Sequence, residues 1–79
     1  FDSVLIANRG EIACRIIRTA HRLGLRTIAI YHHEDRKAPH VKLADEAHIV
    51  EANVPTAAYL DIEQILTVAK NTGASCIHP

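Results

Sequence analysis

The sequence predicts an α/β fold: a doubly wound parallel sheet of about four strands in the order 3-2-1-4. Two observations carry this. Val4-Leu5-Ile6-Ala7 and Arg26-Thr27-Ile28-Ala29-Ile30-Tyr31 are near-continuous apolar runs, the pattern of strands covered on both faces. Between them lies a helical period long enough to force a parallel, right-handed βαβ crossover.

The first strand enters the corner Ala7-Asn8-Arg9-Gly10-Glu11, and a helix leaves it. Ile12, Ala13, Ile16, Ile17, Ala20 and Leu23 fall on one side of that helix, which Gly24 closes. Glu11, Arg15, Arg18 and Arg22 form a charged stripe on the other side, with Glu11 and Arg15 in the favoured order for an i, i+4 pair. After the second strand, His32 to Lys37 reads as a polar loop, and Pro39 opens a short helix through Val41, Leu43 and Ala44. His48-Ile49-Val50 is the third strand, and Pro55 to Leu60 is a loop or a single turn. Asp61 caps a second long helix with Gln64 in a capping-box position; Ile62, Ile65, Leu66 and Ala69 share its inner face, and Gly73 ends it. Ala74-Ser75-Cys76-Ile77 is the fourth strand.

The 79 residues make one domain, which buries only about 60–65% of its unfolded surface. Zero formal charge and the absence of Trp and Met argue against a nucleic-acid footprint and against an amphipathic membrane binder. No apolar run approaches the roughly 20 residues of a membrane span. Cys14 and Cys76 lack CxxC or metal-type spacing and are expected to be reduced thiols of an intracellular protein, cytoplasmic or mitochondrial. A start at Phe1 and a stop at Pro79 suggest a truncated domain, a fragment of a longer chain.

In a doubly wound sheet the crevice lies beyond the carboxyl ends of the strands, where chain order reverses. This rule selects Asn8, Arg9 and Gly10 after the first strand, and His78 with Pro79 after the fourth. It also selects His32 to Asp35 and Glu51 to Asn53. A dinucleotide reading fails on the glycines, since only Gly10 is available and Glu11 stands where phosphate should sit. The segment His32-His33-Glu34-Asp35 offers ligand types, but side chains of an extended segment diverge, so it reads as a solvated loop and no metal site is assigned. His40 and His48 read as surface residues, and Cys14 as a packing residue. The arginines have only Glu11 to balance them, and a solvated face competes with a subunit interface for Arg15, Arg18 and Arg22.

Several separated blocks, Ile6 to Ala20, Asp35-Arg36, His40-Val41, Leu43 to Ala47, Tyr59-Leu60-Asp61 and Ile77-His78-Pro79, closely resemble the N-terminal, pre-ATP-grasp domain of biotin carboxylase. The resemblance runs from end to end. It implies an ATP-dependent ligase that activates bicarbonate as carboxyphosphate and carboxylates biotin on a carrier domain. It further implies ATP, Mg or Mn and biotin as cofactors of the whole enzyme, none of them bound by this fragment, which is expected to be inactive alone. The implied partners are the ATP-grasp and C-terminal biotin carboxylase domains, the biotin carrier domain, a carboxyltransferase and a second copy in a homodimer. Arg15 and Arg18 match family arginines on the interface helix, while Arg22 stands where the bacterial enzyme has an acidic residue. Glu51 to Val54 replaces a Gly-Pro turn and is expected to take its own course. Two readings stand beside this one: the leading domain of another ATP-grasp ligase, of carbamoyl-phosphate or purine-pathway type, and a stand-alone nucleotide-binding Rossmann-like module.

Overall fold

The computed structural model describes residues 1–79. Four parallel strands, β1 (Ser3–Ile6), β2 (Arg26–Tyr31), β3 (Glu46–Ile49) and β4 (Cys76–His78), form one sheet in the order β3-β2-β1-β4. The switch in chain order falls between β1 and β4, as the alternation of elements predicts. Helix α1 (Gly10–Arg22) links β1 to β2, and a single 3-10 turn (His33–Asp35) followed by α2 (Pro39–Leu43) links β2 to β3. The one-turn α3 (Pro55–Ala58) and then α4 (Ile62–Thr72) link β3 to β4.

Alternation along β1 divides the core into two layers. Val4 and Ile6 pack with Ala13, Ile17 and Ala20 of α1, whereas Leu5 and Ala7 pack with Ile28, Ile30, Val50, Ala58, Tyr59 and Ile65 beneath α3 and α4. Cys14 is buried, as its packing role requires. Asp61 caps α4 by accepting from the Gln64 N–H at 3.2 Å, and Gln64 returns its amide to the Asp61 carboxylate at 2.7 Å. At the other end Gly73, at φ +71°, lets Ala74 N–H reach the Ala69 carbonyl at 3.0 Å, a left-handed closure that side chains with a Cβ resist.

Several expectations are corrected by long-range contacts. β3 begins at Glu46, not His48, because the Asp45 carboxylate accepts from the Thr27 N–H at 2.7 Å and from its hydroxyl at 3.2 Å, locking the register one residue ahead of Glu46↔Ile28. That backbone hydrogen bond holds the Asp45 carboxyl below the usual carboxylate range. β4 begins at Cys76 because Ser75 bonds to Ser3 and Asp2 side chains rather than to the ladder. On α1 the apolar stripe is wider than the sheet covers, so Ile12 and Leu23 are 60% and 71% exposed. On α4, Ile65 is buried but Ile62 and Leu66 stay exposed. Glu11 meets Arg18 at 3.5 Å instead of Arg15. Arg15 extends along a groove of about 510 Å³ with Ile12, Ile16 and Leu23.

Candidate functional site

Strand β1 delivers the corner to the crevice. Ala7 N–H bonds the His78 carbonyl at 2.9 Å and the Asn8 amide bonds the Pro79 carbonyl at 2.6 Å, so the ends of β1 and β4 are tied together at the switch point. Arg9 takes an extended conformation before α1 and offers no side-chain cap. Its guanidinium instead spans the crevice to Asp35 Oδ1 at 2.8 Å and lies 5.7 Å from the Tyr59 ring centre. The other Asp35 oxygen accepts the Tyr59 hydroxyl at 3.0 Å. Tyr59 Oη lies 3.5 Å from His40 Nε2, which also bonds the Ile30 carbonyl at 3.2 Å. Arg9, Asp35, Tyr59 and His40 therefore form one polar chain joining the β1 corner, the 3-10 turn, α3 and α2.

The electrostatics make this chain a clamp rather than an acid–base pair. Burial, reinforced by the hydrogen bond to Asp35 and its charge, pushes the Tyr59 hydroxyl up to about 12, so it serves as a neutral donor. Burial holds His40 below the ordinary histidine value, against the opposing pull of the Ile30 carbonyl. A carbonyl only accepts, so Nε2 carries the proton; Nδ1 is buried without a partner. Protonating Nδ1 would create a buried donor with nothing to meet. The unfolded chain takes up this proton near pH 6.5 and the native state resists it, so the stability contributed is intact above that pH. It is lost as pH falls through 6.5 toward the lower native value. Thermal unfolding between pH 7.5 and 5 is expected to show a falling midpoint, with a shallower fall in His40→Gln; an equal slope in both proteins would contradict it.

Among the crevice residues expected from sequence, Asn8, Arg9, Asp35 and Pro79 are brought together. Gly10 supplies the turn through φ +68°, and a Cβ there would meet no protein atom within 4 Å, so backbone conformation and not crowding favours glycine. With Arg9 committed to Asp35 and Glu11 in the first helical turn, the corner does not fit a nucleotide phosphate. His78 stands apart from the clamp, its ring beside the Arg15 groove. The solvated reading of residues 32–35 holds for the exposed His33 and Glu34 and is corrected for His32, and the surface reading of His40 is corrected too: His32 and His40 are fully buried. His48 is half-buried and bonds Glu46 at 3.0 Å. The loop at Glu51 to Val54 is held by Gln64, bonded twice to the Glu51 backbone, and by His32 Nε2 on the Ala52 carbonyl at 2.7 Å. Because residues 33–35 form a 3-10 turn and not an extended segment, the donor atoms of His32, His33 and Glu34 converge to within 4.8 Å of one another.

Tyr59 and His40 are the members of the clamp that residue-by-residue reading misses. Both lie in blocks shared with the biotin carboxylase pattern, which was the available signal. Beside the clamp, Tyr59, Leu60, Ile62, Leu66 and Ile77 line an apolar groove of about 530 Å³. Arg15, Arg18 and Arg22 are all exposed on α1; Arg22 bonds Thr19 at 3.0 Å.

Comparison with known proteins places the chain. A family model for the biotin carboxylase N-terminal domain matches residues 1–79. Biotin carboxylase 2 of Bacillus subtilis (strain 168) is 52% identical over 79 residues, 100% of this chain and 18% of the relative. The mitochondrial propionyl-CoA carboxylase alpha chain of Rattus norvegicus is 48% identical over 79 residues, 100% of this chain and 11% of its own length. The crystal structure of the Hydrogenobacter thermophilus 2-oxoglutarate carboxylase biotin carboxylase domain dimer, in complex with MgADP, ADP and bicarbonate, superposes with a TM-score of 0.95 at 51% identity, covering 100% of this chain and 17% of that one. The chain thus spans less than a fifth of these relatives. The sheet order, the corner after β1 and the match across every residue lead to one conclusion: the chain belongs to the biotin carboxylase N-terminal domain family.

Proposed function

We propose that this chain is the leading, pre-ATP-grasp domain of the biotin carboxylase component of a biotin-dependent carboxylase, in which it frames the enzyme and carries a subunit contact but performs no chemistry itself. The observation that carries the reading is the paired corner at the switch point, where the Arg9 guanidinium is held by Asp35. Where a nucleotide-binding sheet presents glycines and free donors to a phosphate, Arg9 is spent on Asp35, and the groove of about 530 Å³ beside Asn8, Arg9 and Tyr59 is walled mainly by apolar side chains. ATP, Mg2+ or Mn2+, bicarbonate and biotin are then handled by the ATP-grasp and C-terminal domains, with a carrier domain and a carboxyltransferase as further partners. The outer face of α1 supports a homodimer contact: exposed Ile12 and Leu23 flank Arg15, and arginine set among apolar side chains is interface composition. The test is ADP release by the whole protein that contains this chain, expected to require bicarbonate; hydrolysis indifferent to bicarbonate would count against the reading.

A further inference from the structure

We propose that His32, His33 and Glu34 form a binding site for a divalent transition ion of the zinc class, at the carboxyl end of β2. The turn is what creates it. His32 caps the 3-10 turn His33–Asp35, and Arg36 Nε braces the turn by donating to the His33 carbonyl at 3.1 Å. The two imidazole rings stand 4.1 Å apart, tilted by 35°. His32 Nδ1 lies 3.9 Å from Glu34 Oε2, and the donor atoms of all three residues fall within 4.8 Å of one another.

The buried ring is already prepared as a ligand. His32 Nε2 lies 2.7 Å from the Ala52 carbonyl, which can only accept, so the proton resides on Nε2 and Nδ1 keeps its lone pair. A backbone carbonyl fixing the far nitrogen is the usual outer support of a metal-bound imidazole. At present Nδ1 accepts the Glu34 N–H at 3.2 Å. That bond sits at the long end of the ordinary range and is the one an ion at Nδ1 displaces. Zinc bonds to nitrogen and oxygen are about 2.0–2.2 Å, which puts two tetrahedral ligands roughly 3.4 Å apart. The exposed His33 and Glu34 side chains need to close by about an ångström or a little more to reach that spacing. Two imidazoles and one carboxylate favour zinc, nickel or copper over magnesium and calcium, which prefer oxygen alone. Three protein donors leave the remaining position to water. The site shares its turn with Asp35 of the clamp but takes no ligand from Asp35 or Arg9.

The test is calorimetric titration of ZnCl2 into the purified protein with excess Mg2+ present, comparing wild type with His33→Ala and Glu34→Gln. Both substitutions are at exposed positions and leave the buried His32 ring in place. The expected result is one Zn2+ fewer bound by His33→Ala and at least tenfold weaker binding at that site in Glu34→Gln. In wild type, the His32 Nδ1 resonance is expected to shift on zinc addition. Identical isotherms in all three proteins would overturn the proposal, as would uptake only at millimolar zinc or an unmoved His32 nitrogen.

Discussion

Replacing Asp35 with alanine is expected to lower the unfolding free energy by about 2–3 kcal/mol, a large share of the roughly 4–12 kcal/mol typical of a domain this size. Two losses combine. The Tyr59 hydroxyl, buried against the crevice wall, loses its acceptor, and an unsatisfied buried donor costs about 1–3 kcal/mol. The ion pair with Arg9 adds less, about 0–1 kcal/mol, because the Arg9 side chain is 44% exposed and screened by water. Tyr59→Phe is expected to cost only about 1 kcal/mol, since it removes the donor together with its demand while Asp35 keeps Arg9. Urea unfolding of the three proteins checks this ranking. An Asp35→Ala midpoint equal to wild type would show that the clamp does not hold the turn and α3 to the corner.

Charge reversal on α1 is expected to act on assembly and leave folding intact. Arg15 makes no ion pair within the chain, and it runs along the groove between exposed Ile12 and Leu23. At the centre of a contact, an arginine commonly contributes about 2 kcal/mol or more, so Arg15→Glu is expected to weaken dimerisation of the whole protein by roughly 30-fold or more. Away from any contact the same change shifts stability by only about 0.5 kcal/mol. Sedimentation equilibrium at micromolar concentration separates the two cases. A dimer of unchanged affinity, with folding also unchanged, would return α1 to the status of a solvated face.

Local patterns reach the framework of this domain and stop where distant residues take over. The apolar runs of β1 and β2, the Asp61 and Gln64 pairing at the start of α4, and the glycine at its end each have a cause within a few residues, and all three stand in the structure. The start of β3 does not: it is set by Asp45 hooking Thr27, eighteen residues earlier in the chain. His40 looked like a surface histidine because a polar residue after Pro39 carries no period of its own, and only the Ile30 carbonyl and Tyr59 explain its burial. The convergence of His32, His33 and Glu34 depended on one turn being 3-10 rather than extended. At the candidate site, the topology rule put Arg9 and Asp35 among the crevice residues without pairing them, while Tyr59, which bonds Asp35, enters at the end of a single helical turn with no local motif.

The proposed role, a leading domain that leaves the chemistry of a biotin carboxylase to other domains, separates the activity of the whole protein from that of this chain. ADP release from ATP, measured with and without bicarbonate and free biotin for the whole protein and for the 79-residue chain alone, makes that separation visible. Bicarbonate-dependent release that rises with biotin is expected from the whole protein, and none from the isolated chain. Release by the isolated chain would contradict the structural role assigned to the paired corner, and release by the whole protein without need of bicarbonate would contradict the carboxylase reading itself.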